Sequence, residues 1–146
     1  MADGFRLRVC FGKTGRLRYL SHLECARACE RAVRRAGLPY AVSQGFTPRM
    51  RMAFGPALPV GTAGEREYYD LVLRRFVDPA EAYEALRRAS ASDMMPRECA
   101  YVAPDGPSLG AVVRIAVYEL SVEGGTSPRE IFSIFSATLS APKQGS

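Results

Sequence analysis

Histidine is nearly missing from this sequence: His22 is the only one in 146 residues. No Ser/His/Asp arrangement, paired-carboxylate signature or dinucleotide fingerprint stands beside it, so those familiar catalytic devices are not expected. Long apolar runs are also lacking, and none approaches the ~18 residues of a membrane span. The start, Met1-Ala2-Asp3-Gly4-Phe5-Arg6, has no apolar signal-peptide core. A soluble cytoplasmic protein with no membrane partner is therefore expected. Cysteine is present only as Cys10, Cys25, Cys29 and Cys99, with no CxxC pair, which argues against a disulfide framework. Cys25 and Cys29 stand one helical turn apart, either as two thiolates for zinc or as two small core residues. No second ligand pair lies nearby, so packing is expected and no metal. Gly12 and Gly15 flank Lys13-Thr14, but the rest of the Walker pattern is absent.

What is abundant is arginine, and it is unevenly spread. Residues 1–60 hold eleven Arg and Lys against three acidic residues, net +8, whereas residues 61–146 are net −3. The first half either faces a polyanion or is a solvated arginine surface. The length suits one compact domain with a real core, followed by part of a second. The expected division is residues 1–105 and residues 106–146.

Phe5, Leu7, Val9 and Phe11 alternate with Arg6, Arg8 and Cys10, as in a half-buried strand. Residues 12–15 read as a basic loop. Ser21-His22-Leu23-Glu24 has the form of a capping box. It starts a helix from His22 to about Ala36 that ends at Gly37, with Pro39 beyond. Ala26, Cys29, Val33 and Ala36, widened by Cys25 and Ala32, make its apolar stripe; Arg27, Arg31 and Arg34 make a second, exposed one. Tyr40–Val42 is a short strand, Ser43–Pro48 a turn-rich connection exposing Phe46, and Arg49–Phe54 a further strand. Prolines 56 and 59 make residues 55–61 a loop. Glu67–Phe76 reads as strand, Asp78-Pro79-Ala80-Glu81 as a capped helix start running to about Ala89, and Arg97–Val102 as strand. The order β-α-β-β-α-β predicts an α+β protein, a ferredoxin-like βαββαβ sandwich. Beyond Pro104–Pro107, a short helix at Ser108–Ala111, a strand at Arg114–Val122 and a third helix carrying Ile131, Phe132, Phe135 and Leu139 predict a partial second βα unit.

The runs KTGRLRYLSHL (Lys13–Leu23), RRAGLP (Arg34–Pro39), SQGFTPR (Ser43–Arg49) and ALPVG (Ala57–Gly61) together resemble the radical-SAM-linked domain of unknown function. That domain occurs alone or attached to the C-terminus of a radical SAM protein. The resemblance implies a radical SAM partner in trans. The chain has no CxxxCxxC triad to hold an iron–sulfur cluster, so the radical chemistry would belong to that partner and no cofactor is expected here.

Three functions fit these observations. The first is an accessory module binding RNA or a ribonucleoprotein, through Lys13, Arg16, Arg18, Arg27, Arg31, Arg34, Gln44, Phe46, Arg49 and Arg51. The second is a metal-independent endoribonuclease with His22 as base, Lys13 as phosphate stabiliser and Tyr19 as positioning group or proton donor, by analogy with RAMP-type CRISPR RNA-processing nucleases. A lone histidine at a helix start is also an ordinary hydrogen-bonded residue. The third is a scaffold that dimerises through residues 115–140.

Overall fold

A computed structural model describes residues 4–113 and 115–119. Its regular elements are β1 (Phe5–Lys13), α1 (His22–Arg35), β2 (Met52–Phe54), β3 (Gly64–Leu73), α2 (Pro79–Ala89), β4 (Pro96–Val102) and α3 (Leu109–Val112). The result is a mixed α+β structure whose four strands form one sheet in the order β2-β3-β1-β4, with every neighbouring pair antiparallel.

The alternation of apolar residues dictates the layering. Leu7, Val9 and Phe11 of β1 share one face of the sheet with Tyr69, Leu71 and Leu73 of β3. They join Cys25, Cys29 and Val33 of α1 and Ala82 and Leu86 of α2 in one core. Burial of these side chains supplies the main driving force for the fold.

Both long helices start where their caps dictate. The Ser21 hydroxyl accepts from the Glu24 amide at 3.2 Å, and the Asp78 carboxylate accepts from the Ala80 amide at 2.9 Å with Pro79 in the first turn. Gly37, at φ +70°, follows the end of α1 in the left-handed conformation that glycine adopts without penalty.

Three local expectations change. Tyr40 and Val42 make only isolated bridges, to Leu73 and Met50, and β2 begins at Met52 rather than Arg49. Gly12 and Lys13 are not loop: β1 runs through them, with a register shift after Phe11 that pairs Lys13 with Gly64. Arg16–Tyr19 lie in a 3-10 helix spanning Gly15–Tyr19. Gly15 takes φ +54°, and a β-carbon there would collide with the Asp93 carboxylate.

Residues up to Arg114 form one compact unit and a second begins at Ile115. The short α3, capped by Ser108, belongs to the first unit and packs against β2 and β3. Residues 115–119, expected in a strand, have no regular secondary structure. The rest of that strand, the third helix and most of the proposed dimer surface at 115–140 lie outside the described residues. No described helix is long and apolar enough to cross a membrane.

Candidate nucleic-acid interface and the Lys13–His22 depression

The arginines divide by position. Arg6 and Arg8 project from the face of β1 opposite the helices, as the alternation requires, and both meet Asp70 of β3. Arg6 Nε donates to Asp70 Oδ2 at 2.9 Å, Arg8 Nε donates to Oδ1 at 2.8 Å and Arg8 Nη2 to Oδ2 at 2.9 Å. Asp70 is only 3% exposed. Arg6 also donates to the carbonyls of Gly106 and Pro107, both at 2.9 Å, which ties the segment leading into α3 onto this face. The hydrogen bonding to the Asp70 carboxylate holds Arg8 above the ordinary guanidinium value, against the opposing effect of burial. These two arginines hold structure together and are occupied.

The arginines of α1 are placed differently. Arg27, Arg31, Arg34 and Arg35 are exposed. Arg34 has Glu30 at 3.9 Å, a surface pair of little energetic weight. Arg16, Arg27, Arg31, Arg35 and Arg49 have no carboxylate at ion-pair distance among the described residues. In the 43–49 connection, the Ser43 amide donates to the Arg49 carbonyl at 2.7 Å and the Arg49 amide to the Ser43 hydroxyl at 3.0 Å. Those two bonds close a compact loop. Gly45 and Phe46 sit at its tip, and Phe46 is as exposed as a side chain can be, at 109% of its reference area. Gln44 and Arg49 are exposed on either side of it, and Arg51 is half-buried. Arg18 Nη2 donates to the Tyr19 hydroxyl at 2.8 Å, with the guanidinium 4.7 Å from the ring centroid.

Lys13 departs most from its sequence reading. It was expected on a basic loop, available to a phosphate, yet it is 3% exposed. Two residues beyond Phe11 on the same strand face, its side chain enters the helix side of the sheet, where Nζ donates to the Leu20 carbonyl at 2.8 Å. Lys13 and His22 do line one small depression, together with Cys25, Glu67 and the Gly55–Leu58 loop. The His22 ring stands edge-on to Phe54, with centroids 5.7 Å apart. The free volume of about 20 Å³ admits a single water. Tyr19 is not among the lining residues, so two of the three residues expected to form a cleavage site come together and the third does not.

Sequence reasoning missed two members of this cluster. Glu67 shares the strand face of Tyr69, Leu71 and Leu73, and that parity was the available signal. Burial raises the Glu67 carboxyl above its usual range, and the charge of Lys13 offsets this in part. The Cys25 thiol is lowered, first by the hydrogen bond from Cys29 and further by Lys13, while Cys29 is pushed up by donating that bond and by burial. Among the described residues no three His, Cys, Asp or Glu side chains gather as a metal site.

Comparison with curated proteins and with solved structures gives no match. A family model does match, over residues 6–143, and takes in every element from β1 to α3. The chain belongs to the bacterial family described as "Uncharacterized protein conserved in bacteria (DUF2344)".

Proposed function

We propose that this chain is an accessory module that binds RNA or a ribonucleoprotein in the cytoplasm and works beside a radical SAM protein supplied in trans. The observation that carries the RNA reading is Phe46, a fully exposed aromatic ring on a closed loop, in a chain whose α1 arginines Arg27, Arg31 and Arg35 have no carboxylate partner among the described residues. An exposed ring offers a stacking surface for an unpaired base, and guanidinium groups neutralise phosphates. The ring contributes nothing to the core, and a base stacked on it would cover it. The strand order, with β1 and β3 central, fits a ferredoxin-like sandwich. The outer sheet face is a poor base-stacking platform here, because Asp70 and Cys10 are buried on it and residues 106–107 are held against it by Arg6. This directs the RNA reading to the helix and the loop. The radical SAM partnership rests on the sequence motifs of residues 13–61.

The test is fluorescence anisotropy of labelled single-stranded RNA with the full chain between 50 and 200 mM salt. Binding should weaken linearly in log–log form, by about 0.7 per phosphate contacted. Replacing Arg27, Arg31 and Arg34 with Gln should flatten that slope by about 2, and Phe46→Ala should weaken binding by roughly 1–3 kcal/mol. Binding that is undetectable, or indifferent to salt, overturns the reading. Recovery of the native protein without any radical SAM protein would remove the partnership but leave the RNA result standing.

A further inference from the structure

A second opening in the described unit lies between α1 and the segment that joins α2 to β4. It holds about 170 Å³ and is open to solvent on one side, a volume close to that of the ~150 Å³ closed engineered cavity known to bind benzene. Its floor is the sheet, through Val9, Phe11 and Tyr69, and the space exists because the walls are built from small residues, Ala28 and Ala32 on α1 and Ala89–Ala91 opposite. The interior carries no charge. Burial raises the Tyr69 phenol well above its ordinary value, and the Cys29 thiol is raised by its bond to Cys25 and by burial, so both stay protonated at neutral pH. Ser90 is already engaged, its hydroxyl donating to the Leu86 carbonyl at 2.6 Å.

Charge enters only from Arg31 and Arg35, one helical turn apart on α1. Both line the cavity, both are exposed and so mark its open side, and neither has a carboxylate partner among the described residues. Like charges at this spacing repel. An anion between them would relieve that repulsion, and guanidinium forks suit carboxylate and phosphate oxygens. An apolar chamber of one-ring size with two cations at its mouth is complementary to one kind of ligand.

From this we infer that the cavity is a binding site for a small amphipathic anion, with one aryl or short alkyl group in the chamber and a carboxylate or phosphate monoester held by Arg31 and Arg35. This stands independently of the RNA reading, since a single small anion needs neither Phe46 nor the remaining arginines.

Isothermal titration calorimetry of the full chain tests it. Phenylacetate and phenyl phosphate distinguish the two head groups. Acetate and inorganic phosphate supply the heads alone, and phenol the ring alone. At least one of the two aryl anions should bind about tenfold or more tightly than its isolated head and than phenol, and Arg31→Gln/Arg35→Gln should lose about tenfold or more of that affinity. Arg74→Gln/Arg75→Gln, which removes equal charge from exposed sites away from the cavity, should bind as the unaltered chain does. Ala32→Leu, with its fold checked by thermal melting, should close the chamber to the ring while both arginines remain. The inference is overturned if acetate or phosphate binds as well as its aryl counterpart. It is equally overturned if the double arginine variant retains full affinity, or if adenosine 5′-monophosphate binds more tightly than phenyl phosphate, which would mark a nucleotide site instead.

Discussion

Two carboxylates on opposite faces of the same strand, the buried Asp70 and the half-buried Glu67, meet very different surroundings. Asp70 is held by two guanidinium groups through three hydrogen bonds of 2.8–2.9 Å, one of its partners bonding onward to the segment before α3. Among the described residues Glu67 has only the field of Lys13, whose amine donates to the Leu20 carbonyl, and burial is the larger influence on its titration. The difference teaches where charge is structural and where it is merely tolerated. On the outer face, Asp70 is met by both arginines; on the helix face, the buried Lys13 and the half-buried Glu67 line one depression without contact at ion-pair distance.

That contrast can be broken first at Asp70. Asp70→Ala leaves Arg8 with no described acceptor and Arg6 with only the carbonyls of residues 103, 106 and 107. Removing one member of a buried charged network costs about 3–5 kcal/mol, so urea denaturation should show a loss of that order. A loss under about 1 kcal/mol, the range of exposed pairs, would mean the network is effectively solvated.

The opposite sign is expected at Glu67. Its folded-state carboxyl is raised, so the folded chain holds this proton more tightly than the unfolded chain does. The associated stability is complete below the usual value near 4.5 and is lost as pH rises through the raised folded value. Glu67→Gln has no charge to desolvate. It should melt higher than the unaltered chain at pH 7, with the advantage shrinking as pH falls through the raised folded value and gone below about 4.5. If Glu67→Gln instead melts lower at pH 7, the attraction to Lys13 outweighs burial and the two carboxylates are alike after all.

The smallest effect on stability belongs to the exposed arginines. Arg27→Gln/Arg31→Gln/Arg34→Gln should shift unfolding by no more than about 0.5 kcal/mol, as surface substitutions do, while altering the salt dependence of RNA binding. A larger destabilisation would assign these residues to the fold, as with Arg6 and Arg8.

Much of this architecture was legible in the residue pattern. The alternation from Phe5 to Phe11, the Ser21/Glu24 and Asp78/Pro79 helix starts and the punctuation at Gly37 are local signals, and each names its element within a few residues. The exposure of Phe46 was legible too, because its polar, turn-forming neighbours leave no core for it to join. β2 was overextended because Met50 is buried without belonging to the strand. At the candidate site, position in the chain misled: Lys13 stands among glycines and polar residues, a loop composition, yet β1 continues through it.

By itself, then, the sequence determined the order of elements, their caps and the basic character of α1, since these depend on neighbours within a turn or on strand parity. Only the tertiary structure decided which charges are spent. Asp70 reaches Arg6 and Arg8 across 62–64 residues of chain through the β1–β3 register, the two-residue extension of β1 draws Lys13 beneath α1, and the packing of small residues against the sheet leaves a chamber beside Arg31 and Arg35. Such outcomes follow from strand register and helix packing over long separations, which composition and periodicity do not encode.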